Sequence, residues 1–309
     1  MSDEKLIVTK SKLDALATSI SNKSGVATPL TIAQMKAAVD AMAGGGTIIQ
    51  DENGYLVISE NGEQGDGQLR YSIDDVLTNN APVDSVLLPT VTRLKDSAFY
   101  GNVNITFVDA PNVTRIGGHA FRSCTKLKNV NFPLLEYAGT IFQNNQTALT
   151  NDSITNTTPS YSFAYCHSLE KVYFPKLRVT GAGMFYQINV SSSQYNTIVV
   201  MPLVEQIGNF TFRQGKFKAI DLGSNLTKIW NYGFYSGVYD VVILRSPTVV
   251  QAASNDAVSG ITKLYVPSAL VSDYATATNW ATNAANRTVL PIEGSIYETQ
   301  YADGTPISS

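Results

Sequence analysis

Short apolar strands that stop at proline recur along this chain. Five of them end at Pro89, Pro111, Pro133, Pro175 and Pro202, and the series continues at Gly223, Arg245 and Pro267. The intervals between these ends are 22, 22, 42, 27, 21, 22 and 22 residues. Proline has no N–H for the sheet ladder, so it belongs where strand pairing stops. A repeat of this length predicts a solenoid, in which stacked units share one continuous core.

Alternation within each unit predicts which side chains face that core. The residues one, three and six places before the strand end are apolar in nearly every copy, as in Phe132, Val130 and Leu127. The first two spacings match a strand with one buried face. A second apolar set follows the strand and includes Phe121 and Phe212, which occupy equivalent places in different copies. We therefore expect both phenylalanines to be buried.

The clearest copy, PNVTRIGGHAFRSCTKLKNVNFP, resembles the BspA-like class of leucine-rich repeat. The resemblance covers residues 83–267, and it implies a mainly β solenoid that we expect to be right-handed, with roughly seven to nine coils. Phe142 stands one residue early in this pattern, and the coil after Arg245 lacks the phenylalanine. Such repeats are similar across bacterial surface adhesins, protist surface proteins and phage structural proteins, so the resemblance implies recognition of a partner.

Residues 1–43 differ from the repeats and predict two short amphipathic helices, the second starting at Thr31. Together with IIQDENGYLVIS, which follows it, the segment SKLDALATSISNKSGVATPLTIAQMKAAVDAM looks like the N-terminal module of tail and structural proteins from phages and prophages of Gram-positive hosts. That resemblance implies a mounting element that contacts other virion proteins. Because two short helices bury little surface alone, we also expect a homo-oligomer, by analogy with tail fibres a trimer.

Two further segments flank the repeats. Residues 44–82 combine a Gly-rich joint with the sequence TIIQDENGYLVIS, which predicts a β-hairpin turning at Asn53 and Gly54. Residues 268–309 predict a capping helix that starts at Ser268 and closes the open end of the stack, followed by a loose tail from residue 295.

Composition and charge exclude several classes of partner. Of the 309 residues, 44% are hydrophobic and 15% charged, which is typical of an ordered chain with ample core material. The net charge is −3 and the Lys and Arg residues are scattered, so we expect no nucleic-acid partner. No apolar run approaches the ~18 residues of a membrane helix, and no secretory signal follows the first lysine, so we expect no membrane insertion.

Candidate chemistry is sparse. Cys124 and Cys166 occupy the same repeat position and predict small buried residues, with a disulfide open to them if their coils are adjacent. His119 and His167 lie where other copies carry Ser or Thr, so we expect exposed turn residues. We predict no catalytic residue, no cofactor and no metal site, and therefore no enzyme.

Signals for binding are stronger. The interval of 42 residues contains the polar stretch QNNQTALTNDSITNTTPSYS at 143–162, which is either a degenerate coil or, as we predict, a loop of about 20 inserted residues. A second extension spans residues 190–196. Tyrosines near both segments offer rigid rings, with Asn and Thr as hydrogen-bonding groups. The predicted ligand-binding residues are Asn145, Thr147, Asn151, Asn156, Tyr161, Tyr165, Tyr173, Tyr186 and Tyr195.

These features favour a receptor-binding protein of a phage tail or baseplate, located on the virion, that recognises a host-surface saccharide or protein. Two alternatives belong to other classes. One is a bacterial cell-surface adhesin, and the other is a purely architectural virion protein. A glycan hydrolase using scattered carboxylates is the least favoured interpretation.

Overall fold

A computed structural model describes the backbone of most of the repeat region and of the C-terminal part. The described residues are 46–50, 56–60, 85–88, 91–94, 96–140 and 155–307. They form a parallel β-solenoid of about 8 coils, which confirms the predicted fold. The two helices predicted within residues 1–43 lie outside the described residues.

One 11-stranded sheet runs along the solenoid. It takes one strand from each coil, two from a hairpin at its N-terminal end and one from the segment after the C-terminal helical turns. Its strands, in the order in which they neighbour one another, are β1 (Gly46–Gln50), β2 (Leu56–Glu60), β3 (Ser85–Leu87), β4 (Phe107–Asp109), β5 (Asn129–Asn131), β6 (Lys171–Tyr173), β7 (Ile198–Met201), β8 (Ala219–Leu222), β9 (Val242–Leu244), β10 (Lys263–Val266) and β11 (Thr288–Pro291).

The first two strands form the predicted hairpin. β1 pairs antiparallel with β2, with Gly46 opposite Glu60 and Gln50 opposite Leu56. β2 then pairs parallel with β3, and every later pair in this sheet is also parallel. The hairpin therefore extends the solenoid sheet at its N-terminal end.

Shorter strands form further ladders on other sides of the coil. One side carries Arg93–Leu94, Arg115–Ile116 and Tyr137–Ala138, and also Gln206–Ile207, Lys228–Ile229 and Gln251–Ala252. Single bridges from Val179 to Tyr137 and to Gln206 join these two groups into one row. Another side carries Lys216–Phe217 paired with Val238–Tyr239.

Stacked phenylalanines fill the core beneath the turn that follows the short strand of a coil. Phe99, Phe121, Phe163, Phe185, Phe212 and Phe234 have successive ring centroids 4.9, 5.2, 5.7, 5.6 and 4.9 Å apart. Phe121 and Phe212 are both 0% exposed, as predicted. The ring stacked on Phe121 is Phe163, whereas Phe142 lies outside the described residues. The coil after Arg245 has no phenylalanine at this place. The Ala257 carbonyl accepts the N–H of Phe234, as the corresponding carbonyls do in the other coils.

Strand pairing decides the nature of the 42-residue interval. Asn129 of β5 lies directly opposite Lys171 of β6, so no complete coil is hidden between them. The Thr140 N–H donates to the Pro159 carbonyl at 2.8 Å and closes the base of the inserted segment. The predicted loop is therefore confirmed, but the boundary at 162 was wrong, because Ser160 and Ser162 are buried within the next coil.

The C-terminal end differs from the single predicted helix. The structure has a 3-10 turn at Ser268–Leu270, one α-helical turn at Asp273–Thr276 and a 3-10 segment at Ala281–Asn286, followed by β11. Ser268 does not cap a helix, since it is the first residue of the 3-10 turn and Pro267 occupies the N-cap position. The Ser268 N–H donates to Glu293 Oε2 at 2.8 Å. No helix in the described part of the chain is long and apolar enough to cross a membrane.

Packing at this end still closes the core. Tyr274 and Trp280 are each 1% exposed, and their rings meet edge to face at 4.8 Å. Arg287 donates to the carbonyls of Ile261, Trp280 and Val258, and burial lowers its pKa to about 10. The last coil is therefore sealed by aromatic rings and by one buried guanidinium that satisfies three carbonyl groups.

Both cysteines are buried, as predicted, and they do not form a disulfide. They lie in adjacent coils, where the Cys124 thiol donates to the Phe99 carbonyl and the Cys166 thiol to the Phe121 carbonyl, each at 3.0 Å. Burial, and then the neighbouring Cys124, raises the pKa of the Cys166 thiol. Each thiol therefore serves as a small donor between coils.

Truncation of a stacked ring tests this core. We expect Phe121→Ala and Phe212→Ala each to lower the free energy of unfolding by about 3–5 kcal/mol, because each removes a fully buried ring and leaves a cavity. Leu203→Ala, in the same coil as Phe212 but 44% exposed, is the control and should cost less than about 0.5 kcal/mol. Urea denaturation measures all three, and a phenylalanine variant as stable as the control would contradict the assignment of the core.

Candidate recognition surface

The turn around each stacked phenylalanine has a repeated backbone conformation. The residues two before and two after the ring adopt left-handed φ angles of about +46° to +74°. Such angles disfavour β-branched residues, so these positions carry polar, aromatic or glycine residues. The positions before the ring are Ser97, His119, Tyr161, Gly183, Phe210 and Tyr232, and those after it are Gly101, Ser123, Tyr165, Gln187, Gln214 and Ser236.

Three of the predicted tyrosines meet on this turn side of the solenoid. The ring of Tyr186 lies edge-on to Tyr161 at 5.9 Å and to Tyr165 at 5.7 Å. The guanidinium carbon of Arg122 lies 5.2 Å from the Tyr165 ring, 5.8 Å from Tyr161 and 5.9 Å from Tyr100. Arg122 was not among the predicted site residues, and the structure places it at the centre of this cluster.

His119 belongs to the same cluster and lies in a turn, as predicted, but it is half-buried and not exposed. Its ring stacks on Tyr161 at 5.4 Å with an interplanar angle of 3°, and its Nδ1 lies 3.3 Å from Arg122 Nη1. Burial and then the Arg122 charge lower its pKa, against a smaller opposing effect of Asp96. The imidazole is therefore neutral at neutral pH and accepts from the guanidinium.

Gly183 makes room for one of these rings. It has a φ of +70°, and a Cβ built on it would lie 2.4 Å from Cε1 of Tyr161. The Tyr161 ring thus leans over the glycine of the next coil. Glycine is required at this position both by the backbone conformation and by the approach of the ring.

A second cluster repeats this arrangement three coils further along. The Arg213 guanidinium carbon lies 5.4 Å from each of the rings of Phe210, Tyr232 and Tyr235. Phe210 stacks on Tyr232 at 5.4 Å, as His119 stacks on Tyr161. Arg122 and Arg213 each directly follow a ladder phenylalanine, in the sequences AFR and TFR.

Amide groups connect the two clusters. The Tyr186 hydroxyl donates to Gln214 Oε1 at 3.1 Å, and Gln187 Nε2 donates to the same oxygen at 2.9 Å. Aromatic rings, guanidinium groups and amides therefore follow one another along six coils. We call this row, from Tyr100 to Tyr235, the aromatic edge.

The two arginines of the aromatic edge contact mainly aromatic rings, and they make few hydrogen bonds. The Nε atoms of Arg122 and Arg213 are buried and find no acceptor among the described residues. Contact of a guanidinium with ring faces stabilises by about 0.5–2 kcal/mol. The side chains of the edge are thus pre-organised and half-exposed, as in rigid recognition surfaces.

Residues 155–159, the return limb of the insertion, lie beside this edge. The Thr158 carbonyl accepts the Ala182 N–H at 2.8 Å, next to Gly183. The Asn156 carbonyl accepts the Asn209 N–H at 2.9 Å, next to Phe210. The return limb therefore lies along the coils between the two arginine clusters.

The remaining predicted residues do not join the aromatic edge. Tyr173 lies on the outer face of the long sheet, where its ring meets Tyr301 at 6.3 Å. Tyr195, on the second extension, donates its hydroxyl to Asp240 Oδ1 at 2.7 Å. Asn145, Thr147 and Asn151 lie outside the described residues. Asn156 contributes its main-chain carbonyl, which accepts the Asn209 N–H.

A comparison with protein-family models identifies the class. The model described as "BspA type Leucine rich repeat region" matches in 6 copies, over residues 92–201 and 191–272. These matches cover more than half of the chain. The protein therefore belongs to the BspA-type leucine-rich repeat family. A search of curated proteins found no match.

Several solved leucine-rich repeat structures are similar to this chain. A leucine-rich repeat protein of T. pallidum is 19% identical, with a TM-score of 0.38, over 65% of this chain and 85% of that one. A leucine rich cell surface protein from Faecalibacterium prausnitzii is 17% identical, with a TM-score of 0.40, over 74% and 70%. A leucine-rich repeat protein from Bacteroides ovatus is 16% identical, with a TM-score of 0.31, over 72% and 70%. At these identities the likeness concerns the fold alone.

Titration of His119 tests the geometry of the first cluster. We expect its pKa by NMR to lie below the ordinary value of about 6.5, and Arg122→Ala to raise it, because the variant removes a neighbouring cation. The neutral form favours folding, so this stabilisation is present above pH ~6.5 and is lost as the pH falls through the lowered pKa. An ordinary pKa that Arg122→Ala leaves unchanged would contradict the contact.

Proposed function

We propose that this protein recognises a polymer on the surface of a host cell as a component of a phage tail or baseplate. In this proposal the aromatic edge contacts the polymer. Residues 1–43 attach the protein to the particle and associate with further copies. The observation that carries the proposal is the repetition of one arginine–aromatic cluster at Arg122 and at Arg213.

The spacing of the clusters favours a repeating ligand. They are three coils apart, which corresponds to about 15 Å at the ~4.8 Å separation of neighbouring strands. A polysaccharide presents the same group at regular intervals and so fits two like subsites on a straight edge. A single small molecule would be too short to contact both clusters at once.

The chemistry of the aromatic edge suits sugars. Tyrosine rings offer flat apolar faces for the C–H side of a pyranose, and their hydroxyls and neighbouring amides can exchange hydrogen bonds with sugar hydroxyls. Gln187 and Gln214 stand between the clusters and supply such amides. The two guanidinium groups add cations that also accommodate an acidic sugar.

The location on a virion is supported by the resemblance of the first 43 residues to tail-protein modules. A bacterial cell surface is the alternative location. Mass spectrometry of purified particles and of washed cell envelopes from the producing strain separates the two locations. Detection in the envelope without the particle would contradict the virion assignment.

Substitution of the two arginines tests the aromatic edge. A panel of bacterial surface polysaccharides first identifies a bound polymer. Arg122→Ala and Arg213→Ala should then each weaken binding on the order of tenfold, because each loses roughly 1–2 kcal/mol of contact with the ligand and of ring order. The double variant should bind more weakly than either.

The matched control is Arg178→Ala, which removes a guanidinium paired with Glu205 on the row of short strands. Its binding should equal that of the wild type. Full binding by a folded double variant would move the site away from the aromatic edge.

Shortening the inserted loop tests its contribution separately. Deletion of residues 143–154 keeps the Thr140–Pro159 closure and the contacts of Asn156 and Thr158, so the thermal unfolding temperature should change by no more than a few degrees. Because the deleted residues are polar and lead directly into the return limb beside the aromatic edge, we expect adsorption to host cells to weaken. Unchanged adsorption by the deletion variant would restrict the ligand site to the aromatic edge.

A further inference from the structure

The outward-facing side chains of the long sheet form a row across five neighbouring strands. The strand register places Tyr173, Val200, Asp221, Ile243 and Tyr265 side by side. Val200, Asp221 and Ile243 are 0% exposed. Val200 and Ile243 do not belong to the hydrophobic core cluster. Their burial therefore requires another part of the chain on the outer face of the sheet.

The C-terminal segment, residues 295–307, provides this cover, and the prediction of a loose tail was wrong. The Tyr297 ring meets Tyr265 at 4.9 Å, and the Tyr301 ring meets Tyr173 at 6.3 Å. A tight turn folds the segment on itself, with the Tyr301 N–H donating to the Thr305 carbonyl at 2.8 Å. The segment therefore crosses the sheet from β10 to β6.

Polar contacts hold the segment by its main chain. Arg245 donates to the carbonyls of Tyr297 at 2.8 Å and of Gln300 at 3.0 Å. Asp221 Oδ2 accepts the Ala302 N–H at 2.9 Å. At the far end, Lys171 Nζ lies 3.0 Å from Asp303 Oδ2. The sheet face thus contacts both donors and acceptors of a polypeptide backbone, and two of its rings.

A buried ion pair lies beneath the segment, and its desolvation offsets much of the stability that it could add. Arg245 binds Asp221 through two bonds, each of 2.8 Å. Burial raises the pKa of Asp221, and the Arg245 contact opposes this effect. The bidentate pair has a fixed geometry. It therefore holds the remaining Arg245 donors and the Asp221 carboxylate in position toward the main chain of the segment.

The C-terminal segment is also separable from the solenoid. None of its residues belongs to the hydrophobic core cluster, and each keeps part of its surface exposed. The segment follows Gly294, which has a φ of +78° and open space around it. Removing the segment from the sheet would therefore leave the core packing in place.

We propose that this outer sheet face is a polypeptide-recognition surface whose ligand position is occupied by the chain's own C-terminal segment. The partner that fits it is a polypeptide with two tyrosines four residues apart, followed two residues later by an aspartate, as in Tyr297, Tyr301 and Asp303. Such a partner competes with the segment for Arg245, Asp221 and Lys171. This surface is distinct from the aromatic edge, and the proposal does not depend on the ligand of that edge.

A labelled peptide of residues 294–307 tests the proposal on the full chain by fluorescence anisotropy. In the wild type the peptide must displace a tethered copy of itself, so binding should be weak. In the full chain carrying Tyr297→Ala and Tyr301→Ala the peptide should bind at least on the order of tenfold more tightly. Adding Tyr173→Ala and Lys171→Ala to that variant should remove the gain, and a peptide without its two tyrosines should not bind.

Circular dichroism establishes that each variant is folded. If the double tyrosine variant were not, Asp303→Asn in the full chain gives the same comparison with a smaller gain, because it removes one side-chain contact at the surface. The proposal would be overturned if the peptide bound the wild type as tightly as the chains with a substituted C-terminal segment. It would also be overturned if binding survived Tyr173→Ala combined with Lys171→Ala. Arg178→Ala, on the row of short strands, is the control and should leave peptide binding unchanged.

Discussion

The register of the parallel strands is the constraint on which this structure depends. Each coil is placed over the next so that equivalent residues lie side by side, as in Val86 opposite Val108 and Val108 opposite Val130. Because the coils have equivalent residues at these places, the core consists of rows of like side chains. The stacked phenylalanines follow directly, since a ring at one position meets a ring at the same position above and below it. Apolar burial in these rows stabilises the coils, while the main-chain hydrogen bonds fix their alignment.

The same register orders the surface. Turn residues do not face the core, so they vary between coils, but the backbone still stacks them. His119 over Tyr161 and Phe210 over Tyr232 are pairs of this kind. An arginine that follows a ladder phenylalanine is carried to the same side and lies among rings of neighbouring coils. The aromatic edge is thus a product of the scaffold, and it needs no loop to hold its side chains. The outer face of the long sheet is ordered in the same way, with Asp221 between Val200 and Ile243.

Much of the fold could be predicted because it rests on local pattern. The alternation before each proline predicted the long sheet, and Phe121 and Phe212 lie where it placed them. Tyr161, Tyr165 and Tyr186 were predicted as ligand-binding residues, and the structure brings them together. Arg122 was missed because its partners Tyr161 and Tyr165 lie in a coil that a 42-residue interval separates from it in sequence. Arg213 was missed because two of its partner rings, Tyr232 and Tyr235, belong to the next coil. The phenylalanine of that coil was ambiguous until strand pairing showed that Phe163 fills the row. The prediction of a loose C-terminal tail failed because the contacts of that segment use main-chain carbonyls and an ion pair, which leave no apolar periodicity.

A crystal structure of the protein with a fragment of a bound surface polysaccharide tests the central claim most directly, namely that the stacked turns form the recognition surface. We expect sugar rings along the aromatic edge, with contacts to the tyrosines around Arg122 and to those around Arg213 in the same complex. Sugar density confined to the outer sheet face, or to the side of the coil that carries Val179, would contradict it.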